Sequence, residues 1–183
     1  MCVILITGTK RLTGNAIRAA IASNPDGNGF AWIERQKVHW KKGITANEAI
    51  ILANTKPLPY VFHARIATVG RPCDALCHPF AVEARDRQTA TAGSSREGVV
   101  FHNGSWGNWR DNIDEPTSGM WSDSRAMADM VYVDGARALD VIPDSQRVVM
   151  MTPESVEYRG DGWTELPDGT LASNTNFLRD RYL

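Results

Sequence analysis

The stretch that most constrains this chain is its beginning, Met1-Cys2-Val3-Ile4-Leu5-Ile6-Thr7-Gly8. An apolar run closed by Thr7-Gly8-Thr9 predicts a short strand over residues 2–7. The run has no polar alternation, so both of its faces must be buried and the remaining elements must be layered around it. Residue 2 also carries chemistry. A small second residue permits removal of Met1, after which Cys2 would bear both a thiol and a free α-amine. The amine has a reference pKa of about 7.7–8.0 and the thiol about 8.5, so near neutral pH the amine could act as base for its own nucleophile. The other reading of a Cys at a strand start is a small buried hydrophobe.

Bulk properties limit the function classes. At 183 residues the chain suits one domain that buries roughly 70% of its unfolded surface. A net charge of −1 gives no electrostatic case for nucleic acid or an anionic membrane as partner. No apolar run approaches the roughly 20 residues of a membrane-spanning helix, and no signal peptide opens the chain, so a cytoplasmic protein is expected. Three cysteines, Cys2, Cys73 and Cys77, fit a reducing compartment. Cys73-x3-Cys77-His78 has the look of a metal half-site, but a structural zinc needs four ligands and only His39, His63 and His102 remain to complete it. No metal is therefore expected.

Along the chain, Leu12 to Ser23 predicts a helix presenting Ile17, Ala20 and Ile21, with Thr13 or Asn15 as cap. The turn cluster Asn24 to Gly29 leads into a strand over Phe30–Ile33, with Gln36–Trp40 as its hairpin partner. Thr45 to Asn54 predicts a second helix with Glu48 at the capping-box position. Leu58 to Arg65 reads as a strand entering a loop over Ile66–His78, and residues 84–97 read as a polar surface loop. A buried strand, Gly98 to His102, stops at Asn103-Gly104. A helix over Ser122–Asp134 and a strand over Arg147–Thr152 follow. Val156-x-Tyr158 and Trp163-x-Leu166 flank Arg159-Gly160-Asp161-Gly162 as a hairpin. Phe177, Leu178 and Leu183 punctuate a polar C-terminal tail, either a docking segment or a wrap over the domain. Strand runs precede and follow helical ones, which predicts α+β with stacked antiparallel sheets.

Three segments besides Cys2 carry candidate chemistry. Arg65, where a strand enters a loop containing Gly70, suits bidentate grip of a carboxylate, or is a surface arginine after an edge strand. Asn103-Gly104 at a strand end offers a side-chain amide and a backbone N–H close together, as an oxyanion hole requires, or is a plain turn. Asp123 at a helix start is first a cap, and can also receive an ammonium.

Taken together, Met1-Cys2, Asp26-Gly27-x-Gly29, His63-x-Arg65-x-Ala67-Thr68-x-Gly70, His78-Pro79, His102-Asn103-Gly104 and Ser122-Asp123-Ser124 occur in an order similar to that of the class II glutamine amidotransferase domain, one of the N-terminal nucleophile hydrolases. The motifs span about residues 2–135, and 136–183 would complete one domain with a C-terminal tail. The resemblance implies a four-layer αββα sandwich with antiparallel sheets. It implies Cys2 as nucleophile with its own amine as base, and Asn103 and Gly104 as oxyanion hole. Arg65 would bind the α-carboxylate of L-glutamine, Asp123 its α-ammonium, and Thr68 would belong to a loop closing over it. The Asp26–Gly29 turn would pack beside the amine. No cofactor is implied. No synthase segment or nucleotide loop is evident, so a separate synthase or transferase subunit would accept the ammonia, docked on the apolar residues of the tail. Two rivals stay open: an N-terminal nucleophile amidohydrolase for another amide, and a non-catalytic scaffold or regulatory subunit with this fold.

Overall fold

Val3–Ile6 (β1) is buried along its whole length and lies inside a seven-stranded sheet, as its unbroken apolar sequence requires. The structure, a computed structural model, describes residues 2–67, 72–114 and 120–181. After β1 come Gly14–Ser23 (α1), Asn28–Glu34 (β2), Lys37–Lys42 (β3), Ala46–Thr55 (α2), Tyr60–Ala64 (β4), Phe80–Ala81 (β5), Ala92–Ser95 (β6) and Val99–Asn103 (β7). Asp123–Asp134 (α3), Arg147–Met151 (β8), Val156–Arg159 (β9), Thr164–Glu165 (β10) and Leu171–Ala172 (β11) complete the order. One sheet runs β10-β11-β1-β4-β2-β3-β6 and the other β5-β7-β8-β9. Every described strand pair is antiparallel.

Local chemistry sets the helix starts. Thr13 accepts from Ala16 N at the head of α1, and Thr45 with Glu48 forms a reciprocal capping box at the head of α2. Ser122 caps α3 by accepting from Arg125 N. Arg35 and Gln36, both at positive φ (52° and 57°), turn the β2–β3 hairpin as a two-residue loop whose twist matches the strands.

Three apolar layers separate four layers of structure. Ile17, Ala20 and Leu52 of α1 and α2 pack on Val3, Leu5, Phe30 and Phe62 of the larger sheet. The other face of that sheet, through Ile4, Ile6, Val61 and Trp40, meets Val99, Phe101, Val149 and Met151 of the smaller sheet. The far face of the smaller sheet, with Val100, Val148 and Met150, is covered by Ala126, Met127 and Met130 of α3. Odd and even residues of β1 thus serve two different cores, which is the period-2 geometry of a strand between two layers. The αββα sandwich with antiparallel sheets is the fold expected from sequence.

Two local expectations are corrected. Residues 84–97 are not all loop: β6 pairs with β3, placing Ser95 opposite Val38 and Gly93 opposite Trp40. Backbone pairing made this edge strand from small polar residues that lack strand propensity. The 156–166 hairpin does not form, because β9 pairs with β8 and β10 pairs with β11, and the Arg159–Gly162 turn carries the chain from one sheet to the other. The expected loop over residues 66–78 holds a short 3₁₀ turn, Asp74–Leu76, among its described residues, and β5 follows it. Of the two readings of the tail, its described residues support the wrap over the domain: β11 pairs with β1, Phe177 is fully buried and Leu178 packs against the same core. Leu183 lies outside the described residues. Among the described residues no helix is long and apolar enough to cross a membrane.

Candidate active site

Cys2 immediately precedes β1, and strand pairing fixes its surroundings. Because β1 pairs with β4 (Val3 opposite Ala64), the residue before one strand meets the residues after the other. The Cys2 thiol accordingly sits 3.4 Å from both the N and the carbonyl O of Ile66. Burial pushes its pKa above the ordinary thiol value, opposed by the Ile66 N–H and by the charge of Arg65. At neutral pH the sulfur is therefore protonated, and any nucleophilic role needs a base.

Arg65 follows β4 and is 6% exposed. Its backbone is pinned by the turn before β2: Arg65 N donates to Gly27 O at 2.8 Å and Asp26 N donates to Arg65 O at 2.9 Å. The Asp26 carboxylate accepts from Ala67 N at 2.7 Å. The glycines of this turn answer to close packing. A β-carbon on Gly29 would lie 1.6 Å from the His78 carbonyl oxygen, so only glycine lets the two segments meet. Thr68 lies outside the described residues.

Asn103 and Gly104 end β7, and Asp123 opens α3. The Asp123 carboxylate is held by two backbone donors, Trp106 N at 2.9 Å and Ser124 N at 2.8 Å. These bonds leave lone-pair capacity on both oxygens. Cys2, Arg65, Ile66, His102, Gly104 and Asp123 are among the residues that line one pocket. Four of the residues singled out from sequence are therefore brought together, from the start of β1, the end of β4, the end of β7 and the start of α3.

Asn103 is not on the pocket wall. It is 1% exposed, and its Nδ2 donates to the Cys2 carbonyl O at 2.5 Å and to Ser173 Oγ at 2.8 Å, which uses both amide hydrogens. Gly104, its sequence neighbour, lines the pocket, while the Asn103 amide is engaged with Cys2 O and Ser173 Oγ. Ser173 and Asn174, which no sequence motif singled out, belong to the same construction. Asn174 Nδ2 donates to the Cys2 carbonyl at 2.6 Å, and Ser173 Oγ accepts from Ile4 N at 2.8 Å. Their position one and two residues past β11 is the only signal, and it exists only once β11 is paired with β1.

The buried histidines are uncharged. Burial, then Arg65 and His102, drive His63 down to about 3, and burial holds His78 well below its usual value. Their rings lie 4.2 Å apart, and His78 is among the residues lining the pocket. All three cysteines are free thiols, and Cys77 packs inward with Sγ 3.4 Å from Cys73 O. Among the described residues no three His, Cys, Asp or Glu side chains gather as a metal site.

No protein-family model matches the chain, and no curated protein matches it by sequence. A solved structure does match, that of the allosteric regulatory enzyme of purine biosynthesis, with a TM-score of 0.64 and 17% identity. The match covers 98% of this chain and 43% of that one, so the chain spans less than half the length of the enzyme it resembles. At this identity the likeness is one of fold alone, a mixed architecture with antiparallel sheets.

Proposed function

We propose that the protein is a glutamine-hydrolysing amidotransferase domain, folded as one unit over residues 1–183, that releases ammonia from L-glutamine through a thioester on Cys2. The observation that carries this reading is the convergence of Cys2, Arg65, Gly104 and Asp123 on the lining of one pocket. A cation and an anion on the walls of one small space match the two ends of a free α-amino acid. Arg65 receives the carboxylate through its planar fork, and Asp123 receives the ammonium. That arrangement leaves the side-chain amide to reach the sulfur.

The chemistry follows from the groups present. Removal of Met1 frees the Cys2 amine, which takes the thiol proton, a transfer made necessary by the raised pKa of the sulfur. Sulfur then attacks the γ-carbonyl. The developing oxyanion is held by Gly104 N–H and by Asn103 Nδ2, which gives up one of its two present acceptors to do so. Collapse breaks the C–N bond, and the amine returns the proton to the departing ammonia. Water, deprotonated by the same amine, cleaves the thioester to glutamate and restores the thiol. A separate synthase or transferase consumes the ammonia.

The test is intact mass before and after incubation with 6-diazo-5-oxo-norleucine. Loss of Met1 together with one adduct on Cys2, blocked by excess glutamine, is the expected result. Retained Met1 with an unlabelled Cys2 would overturn the reading and leave a binding scaffold.

A further inference from the structure

His102 has no place in the reaction just described, yet it lines the same pocket, is 2% exposed and has both ring nitrogens engaged. Nε2 lies 3.0 Å from Gln146 Oε1 at the end of the loop entering β8. Nδ1 lies 3.0 Å from Ser124 Oγ, the residue after Asp123. Gln146 Nε2 points away toward Ser145 Oγ, at 3.3 Å, so an acceptor-only oxygen faces His102. The proton of the neutral ring therefore sits on Nε2. Nδ1 is then an acceptor, and the Ser124 hydroxyl donates to it in preference to the Asp123 Oδ1 at 3.3 Å.

These two bonds reach the two working parts of the pocket separately. The Nε2 bond lies directly beneath Gly104. A β-carbon on Gly104, whose φ is +156°, would fall 2.0 Å from Gln146 Oε1 and 3.0 Å from His102 Nε2. The His102–Gln146 pair is thus the floor on which the Gly104 backbone rests. The Nδ1 bond instead holds Ser124, whose backbone N–H grips Asp123 Oδ1 at 2.8 Å, and Asp123 Oδ2 is itself 3.8 Å from Nδ1. A ring proton at Nδ1 would aim a donor at the carboxylate and compete with a substrate ammonium; the assigned tautomer keeps that carboxylate available.

We propose that His102 is the positioning residue of this pocket, its Nε2–H setting the Gly104 oxyanion donor through Gln146 and its Nδ1 setting the Asp123 ammonium site through Ser124. The inference rests on the glutaminase reading above and adds a division of labour to it. One ring connects the end of β7, the start of α3 and the entry to β8, and each nitrogen serves a different kinetic constant.

The two halves separate by substitution, because asparagine places an acceptor near the position of Nδ1 and glutamine places a donor near that of Nε2. In glutamine hydrolysis by the full chain, His102→Asn is expected to lower kcat roughly three- to tenfold with KM nearly unchanged. His102→Gln is expected to raise KM by a similar factor with kcat nearly unchanged. Gln146→Ala should reproduce the first pattern and Ser124→Ala the second. Each matched pair, His102→Asn with Gln146→Ala and His102→Gln with Ser124→Ala, should be no worse together than its more damaging member. Thermal midpoints of all four variants separate these effects from unfolding. Equal losses in kcat and KM for both His102 variants, or loss only in step with stability, would overturn the assignment while leaving glutamine hydrolysis by the parent protein intact. A parent protein that neither hydrolyses glutamine nor takes label on Cys2 would overturn both this inference and the reading beneath it.

Discussion

Asn174 donates its side-chain amide to the carbonyl oxygen of Cys2 at 2.6 Å, across 172 residues of sequence. Asn174 is itself fixed, since its Oδ1 accepts from Asn176 N at 3.1 Å and turns Nδ2 toward Cys2. With Asn103 Nδ2 on the same oxygen, the candidate nucleophile is held by its own backbone from two sides.

Asn174→Ala should therefore loosen Cys2 without touching the pocket wall. The expected cost in stability is about 1 kcal/mol, the net value of a neutral hydrogen bond. The rate of Cys2 alkylation by the glutamine analogue should fall more than the general stability does. Chemical denaturation and labelling kinetics on the same preparation check this; unchanged labelling would mean that Asn103 alone suffices.

Asn103→Ala and Arg65→Ala should separate chemistry from binding. Removing one oxyanion donor costs about 10²–10³ in rate, so Asn103→Ala is expected to depress kcat by that order with a smaller change in KM. Arg65→Ala should mainly raise KM for glutamine. Steady-state kinetics that show the same change in both constants for both variants would sink the assigned roles.

Acid should destabilise the fold steeply. In the unfolded chain histidine titrates near 6.5, whereas in the fold His63 is driven down to about 3 and His78 well below its usual value, both by burial. Between those limits the unfolded chain binds more protons than the native one. Stability is then fully present above about pH 6.5 and is lost as pH falls toward 3, by up to about 1.4 kcal/mol per pH unit for each such group. Thermal unfolding from pH 7 to 4 should show this slope, and His63→Leu should flatten it.

Phe177→Ala tests the role of the tail. Phe177 is fully buried in the core shared by α1, α2 and the larger sheet, and α1 lies against the 3₁₀ turn that carries it. Truncating a buried phenylalanine typically costs about 3–5 kcal/mol, so a large drop in the thermal midpoint is expected. A midpoint within a degree or two of the parent's would return the tail to the status of a docking segment.

Much of the fold was legible because it is written in near neighbours. The apolar run Val3–Ile6 declared a strand buried on both faces, and Thr45 with Glu48 and Ser122 declared two helix starts, while the first helix offered Thr13 or Asn15 as cap and the structure uses Thr13. The polar stretch around Ala92–Ser95 and the segments on either side of Gly160 differ from their local expectation for the complementary reason. Their state was chosen by strands elsewhere, β3, β8 and β11, and not by their own propensities.

By itself, the sequence determined the layered α+β architecture, the buried first strand and the identities of Cys2, Arg65, Gly104 and Asp123 as residues worth following, since periodicity, capping and motif order are local properties of a chain. Only the tertiary structure decided that these four share one pocket, that Asn103 turns to the Cys2 carbonyl, and that Ser173, Asn174 and the Gln146–His102–Ser124 chain support them. Each of those contacts is a hydrogen bond or a packing distance between groups separated by 22 to 172 residues. Such bonds depend on strand register and on which face a side chain occupies, quantities that exist only after the sheets have paired.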